Sequence, residues 1–283
     1  MDAVARLKAA PAGWEARLEL GFRARGGHTV LAHRRHVGPL QVQRAFYPGG
    51  ERACHVYVLH PPGGVVGGDS LALCAQVERG AHALLTTPAA GKLYRSDGAC
   101  ARLSQELSVA RDAWLEWLPQ ETIAFDGACA ASATRVELSG TAGFIGWEIL
   151  CLGRPAAGEV YARGAFTQRF EIRRDGAPLW WERNALSGET PALHAPWGMA
   201  GKSVVATLVA VGCALQALAG LRERLNADRD GGEFSVSQLR EVLVCRYLGD
   251  SVEQARAGFI EAWRLLRPAL WGIEATPPRI WST

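Results

Sequence analysis

The chain has 283 residues, of which 48% are hydrophobic and 21% charged, and 31 Lys and Arg against 28 Asp and Glu leave a formal net charge of +3. That balance argues against a nucleic-acid binder, which would carry a basic patch or stripe, and no apolar run reaches the ~18 residues needed to cross a bilayer. The first residues lack the basic-then-apolar layout of a signal peptide, and the seven cysteines contain no CxxC pair, so the expectation is a cytoplasmic protein with buried, reduced thiols.

From Trp14 to about Val211, short β-type runs bounded by Gly, Pro, Asp or Asn follow one another without a helical period. Strands are predicted at 14–20, 28–34, 54–60, 71–78, 82–87, 102–109, 114–118, 144–152, 169–174, 178–183 and 203–211. Several are apolar at successive positions, as strands covered on both faces are. A helix is predicted at 213–226, then a β-branched and aromatic strand at 239–249. A second helix covers about 251–267, with Val252, Ala255, Phe259, Trp263 and Leu266 along one side. Ser251 and Gln254 have the capping-box spacing, and Arg267-Pro268 reads as its stop. The fold class is mainly β, with two helices toward the C-terminus. With no linker or obvious repeat, residues 1–283 read as one domain.

Two glycine-rich stretches resemble phosphate cradles and fail the test of context. "HPPGGVVGGD" (60–69) follows a strand but leads into another strand, so no helix N-terminus is there to hold a phosphate. A tight turn requiring positive φ explains its glycines. "GMAGKS" (198–203) has Pro196 where a P-loop needs its first glycine, and runs into a β-branched strand. His33 and His36 form the single close histidine pair, and on a strand their spacing points the rings to opposite faces. No nucleophile elbow or HExxH appears.

Carboxylates inside apolar strands are the more informative pattern: Glu116 in "WLEWL", Glu148 in "FIGWEIL" and Glu182 in "PLWWER". Burying a carboxylate costs several kcal/mol unless it is paired or hydrated. Two readings stand side by side. Each carboxylate pairs with an arginine, such as Arg154, Arg163 or Arg183, and fixes packing; or some line an internal polar passage for a hard or borderline cation such as Ni²⁺. Asp69, closing the glycine turn, is then a candidate for its mouth or wall.

Five ordered blocks add a resemblance. "YPGGERACHVYVLHPPGGVVGGD" (47–69), "TTPAAGKLYRSDG" (86–98), "LEWLPQETIAFDGA" (115–128), "WEILCLGRPAAGE" (147–159) and "CRYLGDSVEQARAGFIEAWRLLRPALWG" (245–272) resemble the urease accessory protein family UreD, also called UreH. The likeness implies a helix-like stack of many short β-strands with two α-helices. It also implies a non-enzymatic scaffold that binds urease apoprotein and, with UreF and the GTPase UreG, supports nickel delivery and assembly of the dinickel centre.

Asp69, Glu148 and Glu182 sit where the family carries acidic residues linked to a transient nickel route, with Lys92 a weaker addition. No permanent cofactor is implied, and no nucleic acid or membrane. Phe259, Trp263, Leu266 and Trp271 in the second helix are the candidate contact with UreF, unless they face the sheet. The alternatives are a β-rich hydrolase with a triad assembled across strands, or a binding module unrelated to nickel.

Overall fold

The computed structural model describes residues 13–212, 215–226 and 232–282. A hairpin of β1 (Glu15–Arg25) and β2 (His28–Val37) leads through β3 (Gln41–Val42) to β4 (Ala53–Leu59). The chain then crosses repeatedly between two sheets through β5 (Ser70–Val77), β6 (His82–Thr86), β7 (Gly91–Leu93) and β8 (Ala101–Val109). β9 (Trp114–Trp117), β10 (Thr122–Ala124), β11 (Cys129–Leu138) and β12 (Gly143–Leu152) continue the pattern. A hairpin of β13 (Ala165–Arg174) and β14 (Ala177–Ser187) precedes β15 (Val204–Val211) and helix α1 (Leu215–Asn226). The hairpin of β16 (Glu233–Leu239) and β17 (Val242–Gly249) is followed by helix α2 (Val252–Trp271).

One sheet has seven strands in the order β14-β13-β11-β8-β5-β1-β2. The other follows β16-β17-β15-β12-β9-β6-β4-β3, with β10 attached to β12 and β7 to β10. β5, β8 and β11 are parallel neighbours in the first sheet, and β6, β9 and β12 in the second. Between β5 and β12 the backbone is therefore a flattened coil that adds one strand to each sheet per turn, a rise of about 4.8 Å. The mainly β, stacked architecture agrees with the sequence reading.

A repeat does exist, and it lies in the turns. The links β5–β6, β8–β9 and β11–β12 each bend through a residue at positive φ: Gly80 at 75°, Asp112 at 60° and Gly140 at 53°. Each closes on a buried alanine, Ala81, Ala113 or Ala142. The amide of that alanine returns to the carbonyl of Glu78, Ala110 or Ser139. The strands between carry unlike residues at equivalent places, His82 beside Trp114 and Trp114 beside Gly143, so no repeat is visible in the sequence.

The inward faces of the two sheets make one core, including Leu18, Phe22, Leu73, Val136 and Phe170 against Val56, Leu115, Phe144 and Val209. The outward face of the larger sheet makes a second core with the helices, built from Trp147, Leu208, Cys245, Tyr247 and their neighbours. That sheet is covered on both faces, which is why its strands read as continuous apolar runs.

α2 begins as predicted, with Ser251 Oγ accepting from the Gln254 amide at 3.1 Å. It does not stop at Pro268 but carries that proline in its last turn and ends at Gly272, φ 62°, whose amide returns to the Pro268 carbonyl. Phe259, Trp263, Leu266 and Trp271 all lie on its buried side. Their candidate role as an exposed contact for UreF is corrected: the sheet already covers them, each large side chain contributing about 1.5–3 kcal/mol of apolar burial.

Under α2 lies a buried charge cluster. Glu116 is fully enclosed and accepts from Trp263 Nε1 at 2.5 Å and Arg267 Nε at 3.1 Å, with His82 Nε2 at 2.6 Å. Arg267 also donates to the Glu274 carbonyl. Burial alone would raise the Glu116 carboxyl, but Arg267, His82 and the Trp263 indole outweigh it and hold it at about 2. Burial likewise holds the His82 imidazole below its ordinary value, against the pull of Glu116. Arg267 already supplies the neutralising charge, so a neutral His82 donating through Nε2–H fits the site, with Nδ1 left unpartnered.

Removing Arg267 strands a buried anion. Arg267→Ala is expected to cost about 3–5 kcal/mol in urea denaturation, and the double variant Glu116→Leu/Arg267→Met less than the single one. Because folding depresses the Glu116 value from 4.5 to about 2, its contribution is present above pH 4.5 and is lost as pH falls toward 2. Chemical denaturation at pH 7 and pH 3 checks this sign; equal stability at both would contradict it.

Candidate functional site

Between the two sheets the apolar alternation is interrupted at inward positions that carry Gln105 on β8, Thr134 on β11, Glu148 on β12, Gln168 on β13 and Glu182 and Asn184 on β14. The register places Thr134 beside Gln105, and Asn184 beside Gln168. These side chains form a polar string across the sandwich. Glu148 Oε1 lies 2.5 Å from Thr134 Oγ1, which is 2.9 Å from Gln105 Oε1. Glu148 Oε2 accepts from Gln168 Nε2 at 2.5 Å, and Gln168 Oε1 accepts from Asn184 Nδ2 at 3.1 Å. At the far end Glu182 accepts from Thr207 Oγ1 and Arg246 Nη2, each at 2.9 Å.

Two voids flank the string. A chamber of about 310 Å³ has largely apolar walls, among them Val58, Leu73, Trp117 and Phe166, and reaches Glu148 and Gln168 at its inner end. A second void of about 10 Å³, room for about one water, lies beyond them, lined by Glu148, Gln168, Glu182 and Thr207. Glu148 and Gln168 thus stand at the junction.

Burial pushes the Glu148 carboxyl up to about 7, although Thr134 and Gln168 oppose it, and the charge of Glu182 adds to the rise. Among the described residues no arginine pairs with Glu148: Arg154 pairs with Glu159 and Arg163 with Asp126, while Arg246 and Arg267 serve Glu182 and Glu116. The packing reading therefore holds for Glu116 and in part for Glu182, through arginines other than those expected.

Asp69 is only 4% exposed, and its two oxygens accept from the Trp14 amide at 2.8 Å and the Val66 amide at 3.0 Å. It lines neither void, and shapes the turn whose Gly63, Gly64 and Val65 form chamber wall. Gly64 packs so closely that a Cβ there would meet the Tyr94 ring at 2.1 Å, and Gly68 has φ 95°. The glycines serve turn geometry and close approach, as expected. Lys92 does line the chamber.

Sequence reasoning missed His60, which lines the chamber with its Nε2 buried and unpartnered, and whose imidazole burial lowers. It also missed Gln105 and Gln168, polar residues at inward positions of otherwise apolar strands; counting alternation outward from their neighbours would have found them. Elsewhere, Lys202 of "GMAGKS" pairs with Asp250 at 2.9 Å, and His33 and His36 are exposed on β2. Among the described residues no three of His, Cys, Asp and Glu gather as a metal centre. Oxygen ligands from single carboxylates, with one imidazole at the chamber wall, suit passing contact with a borderline divalent cation. Among the described residues no helix is long and apolar enough to cross a membrane.

Replacing Glu148 by glutamine removes the buried acid without changing its shape. The folded protein holds this proton more tightly than an ordinary carboxyl near 4.5, so the stabilisation is complete below that value and lost as pH rises through about 7. Glu148→Gln is expected to stabilise the metal-free protein by about 1–2 kcal/mol at pH 8 and to have little effect at pH 4.5. Urea denaturation at both values measures it, and the same shift at both would contradict the titration.

A family model described as UreD urease accessory protein matches residues 15–282. A protein of Azoarcus sp. (strain BH72) named urease accessory protein UreD is 50% identical over 286 residues, covering 100% of both chains. One of the same name from Dechloromonas aromatica (strain RCB) is 50% identical over 276 residues and 95% of each chain. Another, from Chromohalobacter salexigens, is 48% identical over 282 residues, covering 95% of this chain and 89% of its own.

Proposed function

The chain belongs to the family of UreD urease accessory proteins, and we propose that its part in urease maturation is to pass nickel ions through the interior of the sandwich toward urease apoprotein. In this reading it acts in the cytoplasm with UreF and the GTPase UreG, as a scaffold without turnover of its own. The observation that carries it is the junction: a chamber of about 310 Å³ that ends on Glu148, with Glu182 across a void of about 10 Å³.

The dimensions say which species moves. Where the smaller void of about 10 Å³ admits about one water, the chamber of about 310 Å³ admits a group of them, enough for a divalent ion with its first hydration shell. An ion crosses apolar walls only if it keeps that shell, because an unpaired charge in such a space is prohibitively costly. The second void has no room for the shell, so water is shed where Glu148 and Glu182 offer oxygen in exchange. His60 and Lys92 lie on the chamber wall, and Asp69 holds the turn that forms part of it. Single carboxylates bind weakly enough to let go, as transfer requires.

The hydrolase alternative gains nothing from the geometry: Nε2 of the buried His82 faces Glu116 and its Nδ1 has no partner. The test is nickel content and activity of urease matured in cells carrying Glu148→Ala, Glu182→Ala, or Ser132→Phe, which fills the chamber from β11. With complexes containing UreF and urease intact, nickel per urease is expected to fall about tenfold in the carboxylate variants and severalfold in the filled one. Full nickel loading in all three would overturn the passage.

A further inference from the structure

The sequence reading expected every cysteine to be a reduced, buried thiol, and the structure corrects this for two of them: Cys100 and Cys129 are joined in a disulfide, their Cα atoms 4.6 Å apart. The coil explains the meeting. Cys100 immediately precedes β8 and Cys129 opens β11, parallel neighbours in which Ala101 faces Ala130. One turn of coil therefore brings the two residues to adjacent rungs, within the range a disulfide spans.

Other cysteines sit in different surroundings. Cys54, Cys151 and Cys245 are buried, and burial pushes their thiols up to about 11, about 11 and about 12. Such thiols are poor nucleophiles. Cys74 is half-buried on β5. Cys100 is exposed and Cys129 half-buried, so a reactant from solvent reaches the Cys100 sulfur first.

We propose that Cys100 and Cys129 form a thiol–disulfide exchange site whose reactants are low-molecular-weight thiols and disulfides of the glutathione type. In the oxidising direction the Cys100 thiolate attacks one sulfur of the small disulfide, and the displaced thiolate takes up a proton. The Cys129 thiolate then attacks the Cys100 sulfur and releases the second small thiol. Two protein thiols become one disulfide while one small disulfide becomes two thiols, so protons and electrons balance. In reverse, a small thiolate attacks Cys100 and Cys129 leaves; a second small thiolate then frees Cys100.

The bond holds a segment that matters to the chamber. Arg95 bridges Ala128, the Ser96 amide donates to the Gly127 carbonyl at 3.0 Å, and Tyr94 packs on Gly64 of the chamber wall. Oxidised, residues 94–100 are tied to the start of β11 by a covalent bond; reduced, they keep the Arg95–Ala128 bridge and the Ser96–Gly127 hydrogen bond. The exchange site stands independently of the nickel reading.

The experiment uses the full native chain equilibrated in glutathione buffers from fully reduced to fully oxidised, quenched with a maleimide and mapped by peptide mass. Cys100 and Cys129 are expected to gain label together as the buffer becomes reducing, by at least about tenfold, with Cys54 and Cys245 unlabelled throughout. Label on both at every ratio would mean that no bond forms, and label on neither before denaturation would mean a permanent crosslink; either overturns the proposal. In Cys129→Ser, glutathione is expected to stay attached at Cys100, and failure to do so would remove Cys100 as the point of attack. Trypsin cleavage after Arg95 is expected to rise about tenfold on reduction, and an unchanged rate would overturn the tie between the bond and the segment.

Discussion

The larger sheet is buried on both faces, and everything else in the molecule answers to that. A polar side chain on it cannot turn to water and must find a partner within the protein. Glu116 and Glu148 occupy neighbouring strands of this sheet on opposite faces, and they solve the same problem in opposite ways. Glu116 meets Arg267 and the Trp263 indole and is held at about 2. Glu148 meets neutral Thr134 and Gln168, has the charge of Glu182 nearby, and rises to about 7. One carboxyl is a fixed anion that anchors α2; the other is an acid whose charge is available near neutrality. Two glutamates in tryptophan-flanked strands thus differ in role because of what the opposing layer presents.

The coil gives these positions their precision. Parallel stacking fixes which residues lie side by side, so Gln105 and Thr134 share a rung without being near in sequence. The same geometry brings Cys100 to Cys129. Side chains held by neighbouring strands lose little further freedom when they act, which is the advantage of a site built on strands over one built on loops.

Fold class was legible because alternation and β-branched content are local signals, and so was the capped start of α2. β11, "CAASATRVEL", escaped because its alanines and serines carry little β-propensity; it is a strand because β8 and β13 hold it on either side. The helical stop was misplaced because Pro268 lies inside α2, where it forgoes one bond to the preceding turn without ending the helix, and the stop comes at Gly272, which supplies the left-handed turn. Phe259, Trp263, Leu266 and Trp271 showed the right periodicity for one face, but periodicity does not say whether that face meets a sheet or a partner. Of the candidate site, Glu148 and Glu182 stood out as charges among apolar residues. Asp69 was singled out as the residue that closes the glycine turn, and it serves that turn; sequence cannot say that two backbone amides will claim its oxygens. The glutamines could have been counted out by alternation, whereas His60 came to light only when the sheets were brought together.

Arg246 lies at the far end of the polar string, its guanidinium 2.9 Å from Glu182 and stacked over Trp180, with half of its side chain in solvent. To a cation in the interior this residue is a bolt of like charge: it neutralises the last carboxylate and repels whatever approaches from within. Its partner is the less exposed of the two, with only 15% of the Glu182 side chain in solvent. An acidic group brought against Arg246 from outside would compete for its guanidinium and leave Glu182 with Thr207 and without its neutralising charge.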